Sequence, residues 1–457
     1  MEEQDLVVIG GGAAGYPAAS NASQLGAKVL VVEKAEWGGT CVNWGCIPMQ
    51  FLLQQVGLVQ AIKLAEEDGI HAGQVKIDFG RMKSAKDAFI KSMSARIQGN
   101  LSAGNIKSIN GFARLTSPHS VEIRLDDGTV QNVQTKKIIL ATGSAPKRLS
   151  VKGSNGQGVL TMKEALNLNF VPKSAVIIGG GVIGLEIATL WAHLGCATCI
   201  VEILPRLVAS EDMDVSLSVE KNLLNQGVRI FTNSEVQFIQ DVKEGKSVTI
   251  VNEGVTHTLD TQVVVFAMGH SPSVNGLGLA DIGVKFDGGG IRTNRRMETN
   301  IDGIYAVGDV TGEIMLASVG IVQGMVAAKN AMGGNETMDY RVVPRIIRTI
   351  PEIGAIGLTE QEAKKRQIDV KVGKYSLKKN AKAVIQKDCD GFVKIIADAK
   401  TEEILGAHII GSQASELIHG ALMIMQTRAT IRDVANAIHG HPCLHEAIHR
   451  AALGMRH

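Results

Sequence analysis

The chain opens with a short continuous apolar run, Leu6-Val7-Val8-Ile9, which ends at Gly10-Gly11-Gly12-Ala13-Ala14-Gly15. A run of that length closed by glycines predicts a strand buried on both faces, as in a parallel sheet. The alanine-rich stretch that follows predicts a helix, and Lys28-Val29-Leu30-Val31-Val32-Glu33 predicts a second strand ending in an acid. The pattern returns in Ala175-Val176-Ile177-Ile178, Gly179-Gly180-Gly181-Val182-Ile183-Gly184, a helix, and Thr198-Cys199-Ile200-Val201-Glu202. Between the two repeats, residues 51 to 110 carry helical spacing, as from Ala85 to Ile97. Residues 111 to 146 read as β-rich and close on Ile138-Ile139-Leu140-Ala141-Thr142-Gly143-Ser144. Val264-Val265-Phe266-Ala267-Met268-Gly269 is a second ending of that kind. The fold class is therefore α/β, with two Rossmann-like dinucleotide-binding domains.

Each repeat has strand, glycine turn, helix, strand and acidic end in the order that dinucleotide binding requires. Gly10, Gly12 and Gly15 let the backbone approach a pyrophosphate and let the helix pack close to the strand; Glu33 is placed for a ribose hydroxyl. Gly179, Gly181 and Gly184 repeat the spacing, and Glu202 ends the strand. A carboxylate there bonds a 2′-hydroxyl and repels a 2′-phosphate, so NAD is expected over NADP. Arg206 is the nearby cation that leaves NADP open.

Composition narrows the class without choosing a chemistry. A length of 457 residues implies several domains, and 45% hydrophobic with 20% charged residues is ordinary for a globular chain. A net charge of +2 offers no attraction for nucleic acid or an acidic membrane. The sequence shows no uninterrupted apolar stretch of transmembrane length and no basic-then-apolar leader, so a cytoplasmic protein is expected. The six cysteines are too few for a disulfide scaffold.

Two of those cysteines lie five positions apart in Gly38-Gly39-Thr40-Cys41-Val42-Asn43-Trp44-Gly45-Cys46-Ile47-Pro48, directly after the first repeat. Such a pair can sit at a helix start, where a thiolate is stabilised, and close a reducible bridge. A buried thiol pair and half of a zinc site are the other readings. Zinc would need two more ligands, and Cys196 with Cys199 is the only other such pair; its place beside a predicted strand suits packed core.

This run resembles the redox disulfide of the pyridine nucleotide-disulfide oxidoreductases, and the resemblance extends over essentially the whole chain. It is nearest to the members that oxidise dihydrolipoyl groups. The resemblance implies FAD at the first repeat, held also by Gly39, Thr40, Ala141, Thr142, Gly143 and Asp309, and NAD at the second, with Glu186 beside the flavin. It implies Cys41 as the thiol that exchanges with substrate and Cys46 as the thiol next to the flavin. In His439-Gly440-His441-Pro442-Cys443-Leu444-His445-Glu446 it makes His441 the acid-base of the partner subunit's site and Glu446 its orienter. The domains implied are an FAD domain at 1–150, an NAD domain at 151–272, a central domain at 273–340 and a C-terminal α+β dimerisation domain at 341–457. The expected protein is a homodimer acting on a small or protein-bound lipoyl dithiol, with a lipoyl carrier protein as partner and no metal. A disulfide, persulfide or metal-ion reductase and a weakly catalytic regulatory flavoprotein are the alternatives. The end Gly454-Met455-Arg456-His457, with no cysteine pair, speaks against mercuric reduction and thioredoxin reduction.

Several positions depart from the family pattern. Met49-Gln50 stands in place of Ser-Lys, and that lysine pairs in the family with the glutamate matching Glu186. Trp44 replaces a small aliphatic residue, His270 an arginine, Ser318 a histidine and Cys443 a threonine. A competing motif overlaps the base: His445-Glu446-Ala447-Ile448-His449 fits a zincin pattern, with His441, His445 and His449 at helical spacing. The acid-base reading is preferred, because the surrounding chain is that of a flavoenzyme.

Overall fold

The computed structural model describes residues 3–456, which divide into two compact units, each assembled from separated stretches of chain. Unit one comprises the described residues up to 51, with 80–147 and 270–339; unit two comprises 52–79, 148–269 and the described residues from 340 onward.

Unit one is built on a sheet whose parallel core orders Lys107–Asn110, Val29–Glu33, Gln4–Ile9 and Val130–Leu140, with Ile304–Ala306 added parallel to the last. The strand Val130–Leu140 serves two neighbourhoods. Its first half alternates exposed and buried positions and pairs antiparallel with Ser120–Arg124; its last three residues are buried on both faces and pair in parallel. The change from period-two alternation to continuous burial marks where water leaves one face. The β-rich reading of 111 to 146 holds, and helix Phe79–Ala103 contains the predicted stretch from Ala85 to Ile97.

Unit two holds a five-stranded parallel sheet ordered Arg229–Phe231, Ala197–Val201, Ser174–Ile178, Val263–Phe266 and Val159–Thr161. It also holds an antiparallel sheet ordered Arg345–Ile347, Glu352–Gly357, Ile404–Gly411, Phe392–Asp398 and Val370–Ser376. Helices Ala414–Gln426 and Glu446–Leu453 pack on the latter through Ile418, Ala421, Ile448 and Ala451. Arg345 forks onto both oxygens of Glu211, at 2.9 and 3.0 Å, and the buried Lys394 ammonium meets Asp212, Asp214 and Glu360 at 2.9, 3.0 and 2.6 Å. These pairs bind the antiparallel sheet to the residues that follow the second glycine turn.

Candidate active site

The two glycine turns are built alike. Gly10 N–H donates to Val32 O and Gly179 N–H to Val201 O, each at 2.8 Å. Gly11 N–H donates to Glu33 Oε2 at 2.7 Å, and Gly180 N–H to Glu202 Oε2 at 2.5 Å. The other oxygen of each acid accepts from the chain just beyond, Ala35 N–H at 2.8 Å and Leu204 N–H at 2.7 Å. Both acids are thus fixed by backbone donors at the strand end. Gly10 and Gly179 adopt φ of +111° and +112°, where a side chain is strained. A Cβ on Gly15 would collide with Gly10 O, and one on Gly184 with Gly179 O, so each third glycine permits close helix–strand packing.

Around the first turn the structure makes a cradle. A Cβ on Gly39 would stand 2.9 Å from Gly12 Cα, so the cysteine-bearing loop lies backbone to backbone against the turn. Ala141 N–H donates to Ile9 O at 2.8 Å, Thr142 Oγ1 to Ser273 O at 2.9 Å, and Gly143 takes φ +70°. Asp309, half-buried on the short helix Gly308–Thr311, accepts from Ser144 Oγ at 2.6 Å, and Gln323 holds Gly308 N–H at 2.7 Å. Sequence reasoning missed Ser144 and Gln323. Ser144 adjoins Gly143 and was within reach; Gln323 has no local signal. The glycine cradle, the acid at the strand end and the acid on the short helix fit FAD. At the second turn, nothing lies within 4 Å of a Cβ placed on Gly181, which leaves space for a pyrophosphate.

Arg206 is spent elsewhere. Its guanidinium donates to Glu211 O at 2.9 Å and Ala209 O at 2.6 Å. Ile203 and Leu204, immediately after Glu202, are exposed and apolar. With Arg206 committed to these carbonyls, the geometry favours NAD.

Cys41 lies on the short helix Gly39–Asn43, and Cys46 heads the helix Cys46–Ala65. A Cβ on Gly45 would stand 2.9 Å from Thr40 O and 3.4 Å from Cys41 Cα, so only glycine allows the chain to fold back between the cysteines. Asn43 Nδ2 pins the loop through Gly39 O at 2.9 Å and Trp37 O at 3.1 Å, and Trp44 Nε1 reaches Thr40 Oγ1 at 3.3 Å. Met49 is fully buried and Gln50 exposed. His270 lies on a strand paired with Ser144–Pro146, where burial pushes its pKa down.

In unit two, His441 Nδ1 stands 3.0 Å from Glu446 Oε1, and Cys443 N–H donates to Glu446 Oε2 at 2.9 Å. The His441 side chain is 73% exposed and that of Glu446 15%, so the imidazole is presented while the carboxylate beside it is held. The helical spacing proposed for His441, His445 and His449 is not realised. The helix spans Glu446–Leu453, and Gly440 and Pro442 keep His441 in the preceding loop. His439 instead stacks on His445 and His449, with centroids at 5.2 and 4.6 Å. Among the described residues no group of three or more His, Cys, Asp or Glu is arranged to hold a metal ion. Cys196 and Cys199 are buried, and burial pushes the Cys199 thiol up to about 11.

Glu186, on helix Val182–His193, is 3% exposed. Its Oε1 accepts the Arg348 backbone N–H at 3.0 Å and lies 3.6 Å from the Arg348 guanidinium. The lysine that pairs with this glutamate in the family is absent at position 50, yet a cation is present, from a residue 162 positions away. Burial raises the Glu186 pKa and Arg348 opposes the rise.

Comparison with known proteins matches residues 4–324 to a pyridine nucleotide-disulphide oxidoreductase family and residues 343–452 to the dimerisation domain of such oxidoreductases. The chain is 36% identical to the mitochondrial dihydrolipoyl dehydrogenase of Dictyostelium discoideum, covering 99% of this chain and 94% of that one. It is 36% identical to a Bacillus subtilis dihydrolipoyl dehydrogenase, covering 98% of each. Among solved structures, LpdA from Mycobacterium tuberculosis superposes with a TM-score of 0.90 at 28% identity, over 98% of this chain and 99% of that one. The Cu(II) complex of RclA, an HOCl-induced flavoprotein disulfide reductase of Escherichia coli, does so with 0.89 at 25% identity, over 99% of each. No helix among the described residues is long and apolar enough to cross a membrane.

Proposed function

The chain belongs to the pyridine nucleotide-disulphide oxidoreductases, and from that membership we propose that it oxidises a dihydrolipoyl-type dithiol borne on a carrier protein. Its class is that of the dihydrolipoyl dehydrogenases, NAD-linked flavin disulfide oxidoreductases with a dimerisation domain. The observation that carries the reading is the cysteine loop lying against the first glycine turn, Gly39 upon Gly12.

FAD, when bound, supplies the two-electron link between the cysteine pair and NAD. The chain's own residues do the rest. Gly10, Gly12, Gly15, Glu33, Gly39, Thr40, Ala141, Thr142, Gly143 and Asp309 would hold FAD; Gly179, Gly181, Gly184, Glu186 and Glu202 would hold NAD. A substrate thiolate attacks Cys41 Sγ of the Cys41–Cys46 disulfide, forming a mixed disulfide and releasing Cys46 as thiolate. His441 of the other subunit takes the proton of the attacking thiol, with Glu446 fixing its tautomer. The second substrate thiol then attacks the mixed disulfide, closes the substrate disulfide and frees Cys41. The substrate loses two electrons and the cysteine pair gains them.

Complementation tests the shared site. Cys41→Ser and His441→Ala homodimers should be nearly inactive with dihydrolipoamide and NAD+. Mixed dimers should regain one working site of two. Confirmed heterodimers as inactive as their parents would show that each site is built within one chain.

A further inference from the structure

Three side-chain bonds fasten the segment from Arg345 to Ile350 onto the second nucleotide-type fold: Arg345 to Glu211, Arg348 to Glu186, and Gln226 Nε2 to Ile350 O at 2.7 Å. The first and third hold loop and helix ends. The second differs, because Glu186 belongs to the cofactor-binding helix itself, two residues past Gly184. Its Oε1 is engaged by Arg348; its Oε2 has no hydrogen-bond partner among the described residues.

A nearly buried carboxylate with one oxygen tied back and the other left over is a held acceptor. Holding it ionised requires a nearby cation, and Arg348 is the one the fold supplies. Position 50, where the family resemblance places a lysine, is an exposed glutamine. Arg348 lies in the stretch matched to the dimerisation domain, and Glu186 in the stretch matched to the nucleotide-binding family.

We infer that Arg348 is a positioning residue for the nicotinamide-nucleotide site: reaching over from the C-terminal sheet, it fixes Glu186 as an oriented carboxylate for the bound NAD. This rests on the reading of the second glycine turn as the NAD site. Arg348 itself acts through Glu186. Affinity for NAD+ then depends on a residue outside the nucleotide fold.

Equilibrium binding of NAD+ and NADH to the FAD-loaded protein tests this, in a cycle of Arg348→Met, Glu186→Gln and the double variant, with Arg348→Lys beside it. Arg348→Met should weaken NAD+ binding about tenfold, and Arg348→Lys should keep it within about threefold of wild type. On the Glu186→Gln background, Arg348→Met should change binding less than about twofold, because its target is gone. An equal loss on both backgrounds, no loss in Arg348→Met, or a lysine variant as weak as the methionine one would overturn the inference. A wild-type protein that binds neither nucleotide would instead overturn the reading of the turn, and this inference with it. A purely structural role would lower melting temperature without producing the coupling.

Discussion

One carboxylate organises the proposed base: Glu446 faces His441 Nδ1 with one oxygen and accepts the Cys443 N–H with the other. The backbone bond does most to hold its pKa below the usual carboxylate range, and the histidine contact adds to this. A lowered folded-state pKa means that this contribution is present above the ordinary carboxylate pKa and is lost as pH falls through the lowered one. Glu446 is thus ionised throughout the neutral range. Glu446→Gln should lower kcat for dihydrolipoamide by roughly 10- to 100-fold, evenly across neutral pH. A steady-state pH profile checks this, and a loss confined to the acid side would contradict it.

Nucleotide preference gives a second expectation. Arg206 is committed to two backbone carbonyls, so Arg206→Ala should leave the ratio of NADH to NADPH affinity unchanged within about twofold. Glu202→Gln should weaken both nucleotides, since an amide cannot accept from Gly180 and Leu204 through both of its terminal atoms. Fluorescence titration with each nucleotide checks both statements. A selective gain or loss of NADPH affinity in Arg206→Ala would show that the arginine faces the ribose.

The parts of this molecule that were legible in sequence are those whose cause is local. Leu6 to Ile9 reads as a strand because four apolar residues and a glycine suffice to say so, and the acids at Glu33 and Glu202 fall at a fixed distance beyond. His441 shows a local signal set aside: spacing alone suggested a shared helix face, yet Gly440 and Pro442 were there to break it. The partner of Glu186 was not legible at all. Nothing near Arg348 marks it, and it meets the glutamate only because a strand of the antiparallel sheet is docked beside the parallel one. Lys394 and Asp212, 182 positions apart, are of the same kind.

Lys394 predicts a stability effect. Its side chain is 2% exposed against that of Asp212 at 0%, and its three carboxylate bonds, opposed by burial, leave its pKa well above the ordinary lysine value. Lys394→Met would leave Asp212 buried without its cation, a loss of about 3–5 kcal/mol. The contribution of Asp212, whose pKa is lowered, is present above the ordinary aspartate pKa and fades as pH falls through its folded value. The wild-type advantage in chemical denaturation should therefore shrink in acid. An advantage independent of pH would show that packing of the lysine stem, and not its charge, carries the effect.

Cys443 is half-buried, and its thiol points to Gly440 O at 3.0 Å. A threonine hydroxyl can make that bond, so Cys443→Thr should leave kcat and KM unchanged with every disulfide substrate. Cys443→Val, which cannot donate, should loosen the loop that carries His441 and lower kcat several-fold. Steady-state kinetics of both variants decides between packing and chemistry. A threonine variant with altered rates for one class of disulfide would assign the thiol a chemical part.

Gln50 bears on the electron-accepting side. It lies on the helix headed by Cys46, four residues on, and residues at that spacing share a helix face. Its side chain is exposed in its own unit, so a longer side chain there meets no packed neighbour that must move. A lysine at this position would bring a cation toward the proposed flavin site, where it favours the electron-rich reduced state. A single charge at close range in a partly buried site is worth roughly 1–4 kcal/mol, which for a two-electron couple is tens of millivolts. Gln50→Lys should therefore raise the flavin midpoint potential and alter turnover of free dihydrolipoamide. Because Glu186 already has Arg348, the gain should come from the added charge and not from rescue of an unpaired carboxylate: Arg348→Met should not be required to see it. Spectroelectrochemical titration of wild type, Gln50→Lys and the combined Gln50→Lys/Arg348→Met protein separates the two causes. A potential that rises only when Arg348 is absent would mean that the lysine merely replaces the arginine. No rise in either protein would place the side chain of residue 50 away from the flavin.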